Sequence, residues 1–214
     1  MPSDIRWHFI GTLQSNKAKT LAGSRPCYSS LPSFDTFLAI PNLYSIHALG
    51  SIKSATALNK ALPDERAAKP LKVLLQVNTS GEDAKSGLPP LTSSTNLEDA
   101  ELVLLARHVV TECPKLRLEG LMTIGSLELS SAASETEQNA DFERLKETRD
   151  LLSNYLKKSP DDNGKTSSES RWGDEASGRL LLSMGMSSDF EVALKSGSDI
   201  VRVGTGIFGQ RSPK

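Results

Sequence analysis

The chain has 214 residues, 37% of them hydrophobic and 24% charged, with a formal net charge of −1. That length and apolar share suffice for one moderately large domain with a buried core. The near-zero charge excludes a whole-surface attraction to nucleic acid or to an anionic membrane, and leaves open a small phosphate-bearing ligand, because one local pocket needs no global charge.

In chain order, residues 1–11 carry Asp4 and Arg6 early and lack the apolar segment of a signal peptide. No run reaches the length of a membrane span. A cytoplasmic protein is expected, or a mitochondrial one if a further N-terminal segment carries a signal. Six short runs rich in Val, Ile, Leu and Phe read as strands: residues 7–10, 43–47, 73–77, 120–124, 180–183 and 200–203. Their near-continuous apolar character predicts strands covered on both sides, as in a parallel sheet. Helical spacing of apolar residues predicts helices over 51–62, 96–111, 141–156 and 187–196. The last opens with Ser and Asp, suited to an N-cap and first turn, and ends before Gly197. Strand and helix alternate throughout, which predicts an α/β fold with right-handed crossovers, either an open sheet or a barrel. Two stretches break the rhythm. Residues 23–38 have no clear period, and residues 159–178 are polar and read as a flexible surface insertion. Cys27 and Cys113 read as two free thiols, forming neither a metal-type pair nor a disulfide framework.

The chemistry concentrates near the C-terminus. Val203-Gly204-Thr205-Gly206 follows a strand, and its glycines let backbone amides approach an anion closely. With the Thr205 hydroxyl, such a turn can cradle a phosphate, which barrel enzymes often hold after their last two strands. Arg202, just inside that last strand, either pairs with a surface carboxylate or faces a ligand. His8 is either a core histidine satisfied by a carbonyl or a pocket-lining one. His47 and His108 have no partner at metal or catalytic spacing and read as structural, so no metal site is expected. Lys85 is either solvated or a contact at the lid of a site. No G-x-S-x-G elbow and no Ser/His/Asp arrangement is present, so no catalytic residue is assigned.

Four stretches occur together and in order: WHFIGTLQSNKAK (7–19), VNTSGEDAKSGL (77–88), GLMTIGS (120–126) and LSMGMSSDFEVALKSGSDIVRVGTGIFGQR (182–211). On these the chain resembles the pyridoxal phosphate (PLP) homeostasis family, small single-domain relatives of alanine racemase. The resemblance implies one domain over residues 1–214, a TIM-type (β/α)8 barrel of the alanine racemase N-terminal type, with PLP at the C-terminal mouth. It puts Ser183, Met184 and Ser187 near the phosphate, with Gly204 and Thr205 opposite them. Arg202 is expected to face the pyridine nitrogen. His8, Met122 and Thr123 are expected to line the pocket, and Lys85 to touch a second PLP or the lid.

The resemblance also implies a helix and two strands before WHFIG, the first strand carrying the lysine that forms a Schiff base with PLP. WHFIG begins here at Trp7. The expectation is therefore a barrel with about six of its eight strands and without its Schiff-base lysine, from an incomplete gene model that also retains 23–38 as an insert. The leading functional expectation is a monomeric PLP-binding protein that buffers or delivers the cofactor, with apoenzymes as transient clients and no turnover of its own. The alternatives are a PLP-dependent fold-type III enzyme such as an amino-acid racemase, and a chain with no cofactor function.

Overall fold

The computed structural model of the chain describes residues 4–13, 15–22, 42–126, 139–158 and 171–210. Five parallel strands form one sheet: β1 (Trp7–Phe9), β2 (Leu43–Leu49), β3 (Leu71–Val77), β4 (Leu116–Thr123) and β5 (Leu181–Ser183). Their spatial order is their chain order, β1-β2-β3-β4-β5. Each parallel step needs a crossover, and helices supply them: α2 (Ile52–Ala61) after β2, α3 (Glu101–Glu112) after β3 and α4 (Ala140–Lys158) after β4. A short α1 (Ala18–Ala22) lies between β1 and β2. α5 (Phe190–Lys195) and α6 (Thr205–Phe208) follow β5. An open doubly wound sheet reverses its strand order at one point. This sheet never does, so it is wound in one direction, as a barrel is.

The two faces of the sheet differ. Leu71, Val73, Leu75 and Val77 alternate onto one face and join a single core with Leu58 of α2, Leu102, Leu105 and Val109 of α3, and Phe142, Leu145, Leu152 and Leu156 of α4. Leu74 points the other way, into a small cluster with Ala48, Met122, Ile124 and Ile200. The rest of that inner face is polar. Near its N-terminal end Lys72 donates to the Tyr44 hydroxyl at 2.9 Å and pairs with Glu119. Burial opposes the Lys72 charge, but Glu119 and Tyr44 outweigh it and hold Lys72 above the usual lysine range.

Local signals explain most element ends. The Ser51 hydroxyl accepts from Ser54 N at 3.2 Å and caps α2. Asn139 Oδ1 accepts from Asp141 N at 3.0 Å and from Phe142 N at 3.4 Å, which opens α4. Gly197, at φ 92°, closes α5: its amide bonds Leu194 O at 3.0 Å and that of Ser198 bonds Ala193 O at 2.9 Å. α3 begins at Glu101 rather than at Asn96, because Asn96 bonds Asp99 in a turn of its own at 2.5 Å.

Two expectations are corrected. The sixth run, 200–203, is one bridge, Ile200 to Ser183, and not a strand. Backbone bonds run there, Ile200 N to Leu182 O and Met184 N to Ile200 O at 3.1 Å each, but side chains bond the same residues: Asp199 Oδ2 accepts from Leu182 N at 2.8 Å, and Ser198 Oγ donates to Met184 O at 2.9 Å. Of the polar stretch 159–178, Trp172 and Gly173 are buried, while residues 174–178 form a bonded turn on the surface around Asp174. Trp172 is buried and bridges Leu118, while Arg117 donates to Gly173 O at 2.9 Å. Residues 159–170 and 23–38 lie outside the described residues.

Candidate functional site

The C-terminal ends of the strands bring distant residues together. Arg202 enters beside β5, its backbone N–H donating to Gly185 O at 3.1 Å. Gly185 takes φ 91°, and a Cβ there would collide with Ala193 of α5, so only glycine lets the SMGMS turn lie so close to that helix. The Arg202 guanidinium donates through one nitrogen to Ser183 O at 3.2 Å and Ser183 Oγ at 3.0 Å, and through the other to Thr123 O at 2.7 Å. Three of the five guanidinium N–H groups are thus spent on the ends of β4 and β5, leaving two for a ligand among the described residues. Burial pulls Arg202 below the ordinary arginine value, and the Asp189 carboxylate opposes that pull.

A chain of imidazoles continues from Ser183. Ser183 Oγ lies 3.2 Å from His47 Nδ1, and His47 Nε2 lies 2.8 Å from His8 Nδ1. His47 is only 1% exposed. Burial, helped by His8 and Arg202, pushes it down to about 4, so it is neutral at physiological pH. His8 is exposed on β1, and the partial covering of its ring, with the Lys72 and Arg6 charges, lowers it as well. At the end of β4, Thr123 Oγ1 donates to Val77 O at 2.9 Å, so the Thr79 hydroxyl donates to Thr123 across 2.8 Å.

The glycine turn forms the anion-binding part. The amides of Gly204 and Gly206 both donate to Ser187 Oγ, at 2.9 and 3.3 Å. A Cβ on Gly204 would meet nothing within 4 Å, so the turn opens onto free space. With both amides pointing at one oxygen, the Ser187 hydroxyl proton is left to donate outward. That one outward donor suits a phosphate oxygen. Thr205, at the start of α6, is exposed beside it.

The remaining expected residues are placed as follows. Met122 is buried in the inner-face cluster, one residue before Thr123. Met184 has its side chain in the helix-side core, and its amide donates to Ile200 O at 3.1 Å. Lys85 donates to Glu82 Oε1 at 2.6 Å and to Gly125 O at 2.9 Å, which ties the loop after β3 to the loop after β4. His108 bonds Thr56 between α3 and α2 at 2.8 Å, a structural role as expected. His47 is different. Sequence spacing gives it no partner, yet it joins His8 to Ser183. The available signal was Ser45 and His47, polar at alternate positions of an otherwise apolar run, which marks an inner face. Ser45 Oγ is buried without a partner among the described residues.

No family model matches the chain. Individual relatives do. The pyridoxal phosphate homeostasis protein of Schizosaccharomyces pombe is 38% identical over 211 residues, spanning 99% of this chain and 68% of the relative. Its human counterpart is 34% identical over 210 residues, spanning 97% of this chain and 59% of the relative. Among solved structures, an unknown protein from Bifidobacterium adolescentis is 30% identical with a TM-score of 0.59, covering 95% of this chain and 61% of the other. PipY of Synechococcus elongatus with PLP bound is 24% identical, with a TM-score of 0.60 over 96% of this chain and 71% of its own. Alanine racemase of Clostridium difficile is 13% identical with a TM-score of 0.54, over 99% of this chain and 42% of its own. The last two likenesses show the fold alone, an α/β barrel. The similarity to the yeast relative, over two thirds of its length, goes further: the chain belongs to the pyridoxal phosphate homeostasis protein family.

Proposed function

We propose that this chain binds PLP reversibly and serves to buffer or deliver it to apoenzymes, as a cytoplasmic monomer, without a turnover of its own. The observation that carries the reading is the pair of glycine amides converging on Ser187 Oγ, with the part-spent Arg202 guanidinium two residues upstream of the first. The Ser187 hydroxyl would donate to the phosphate, with the Gly204 and Gly206 amides fixing its oxygen from behind. Arg202 would place its free N–H groups toward the ring. PLP supplies an electron-withdrawing ring, and an always-charged donor at its pyridine nitrogen keeps that nitrogen unprotonated and the ring a weak electron sink, which suits storage. Thr123 and Ser183 hold Arg202 in place, and the inner-face cluster around Met122 excludes water from below. Lys85 has a carboxylate and a carbonyl as partners and clamps two rim loops in this reading, with no covalent role.

Absorbance titration of PLP against the purified chain tests the proposal, with a parallel assay for turnover of D- and L-alanine. Saturable binding, weakened about tenfold or more in Arg202→Met, and no turnover is the expected result. A folded chain that does not bind PLP, or binds it equally well in Arg202→Met, overturns the binding reading. Turnover of either alanine overturns the non-catalytic part.

A further inference from the structure

Burial of Ser183 and His47 makes the hydrogens of the Ser183–His47–His8 chain assignable, although His8 at its end is exposed. Ser183 Oγ accepts from the Arg202 guanidinium, which cannot accept in return. The Ser183 hydroxyl is fully buried, so its own proton needs an acceptor, and the acceptor it meets among the described residues is His47 Nδ1. An imidazole that accepts at Nδ1 and is neutral carries its proton on Nε2, and His47 Nε2 faces His8 Nδ1. His8 then accepts at Nδ1 and carries its own proton on Nε2.

We propose that His47 is a positioning residue: the fixed charge of Arg202 sets one direction of donation, Arg202 to Ser183 to His47 to His8, holding both imidazoles as the Nε2–H tautomer and keeping Ser183 Oγ turned to receive the guanidinium. His47 thereby secures one of the three anchors that aim Arg202. This deepens the PLP reading, since an Arg202 freed from Ser183 is less well aimed at the cofactor ring, but the tautomers themselves do not depend on it. The groups around the chain agree with neutral imidazoles. His8 faces Arg6, Lys72 and the Tyr44 ring, with Glu119 beyond Lys72, and His47 faces His8 and Arg202, with Asp189 beyond Arg202. Among the described residues, no carboxylate touches either ring to favour the charged form.

The chain has three histidines, and His108 lies apart on Thr56, so it serves as an internal control. Two-bond proton–nitrogen NMR on the histidine-labelled, ligand-free chain near neutral pH reads each tautomer directly. The Nε2–H form is expected for His8 and His47. Arg202→Met and Ser183→Ala, by two separate cuts, should each turn His47 into a tautomer mixture while His108 keeps its signal. An Nδ1–H His47 in the unmodified chain overturns the proposal, as does an unchanged His47 in both variants. PLP affinity supplies the second readout. His47→Asn, which keeps an acceptor toward Ser183, should bind within about threefold of the unmodified chain, and His47→Leu about tenfold more weakly. Equal affinities in the two overturn the positioning role. A chain that binds no PLP at all, with the tautomers as stated, overturns the functional reading and leaves the proton direction standing.

Discussion

The two faces of this sheet obey different chemistry. On the helix side, Val73, Leu75, Leu118 and Leu182 meet apolar helix faces, and any side chain of similar volume and polarity would serve. On the inner side, His8, His47, Ser183, Thr123 and Arg202 are linked donor to acceptor, and a change in one hydrogen is felt by the next. The outer face thus carries an apolar core and the inner face a directed hydrogen-bond network. Substitutions should separate the two. Phe142→Ala on the outer face should cost about 3–5 kcal/mol, the largest effect expected, in urea unfolding of the apo chain. If it cost under 1 kcal/mol, the helix-side core would not be the main source of stability.

The inner face should appear instead in the pH dependence. His47 falls from 6.5 to about 4 on folding. The unfolded chain therefore binds the extra proton first, and stability rises with pH between those values. This group contributes in full above pH 6.5, and its contribution is lost as pH falls toward 4, by about 3 kcal/mol in all. Urea midpoints across that window should show the loss in the unmodified chain and a shallower slope in His47→Asn. Identical slopes would place His47 in water. Smaller effects lie at the margins of the comparison. Removing the α2 cap with Ser51→Ala should cost about 1 kcal/mol in the same assay, with no change in the His47 slope. Ser45→Ala should be neutral or stabilise by up to about 1 kcal/mol, because its buried hydroxyl has no partner among the described residues. A cost above 1 kcal/mol would mean that Ser45 does make a bond.

The outer face was readable from the sequence because its period is local. Val73, Leu75 and Val77 announce a strand, and Phe142, Leu145, Leu152 and Leu156 a helix, without reference to any partner. That Ser187 and Gly204 lie together was readable by resemblance and by the chemistry of a glycine turn. What was not readable depended on contacts far apart in sequence. His47 and Ser183 are 136 residues apart, and no spacing rule links them. Trp172 was hidden in a polar stretch, although its backbone bridge to Leu118 packs it into the core. The run at 200–203 has strand composition and Ile200 does make backbone bonds to Leu182 and Met184, but Asp199 and Ser198 side chains share those neighbours and the pairing stays one bridge long, which the apolar pattern does not encode.

The most direct test of the account is the phosphorus NMR resonance of PLP in the presence of the chain, followed across pH with Gly204→Val as the comparison. The structure opens the Gly204 turn onto free space beside a Ser187 hydroxyl whose oxygen already accepts two amides and whose proton is left to donate, so a bound phosphate should be held as a dianion whose resonance no longer titrates. Gly204→Val, which fills that space, should return the resonance to that of free PLP. A phosphate that titrates freely in the presence of the folded, unmodified chain would contradict the account.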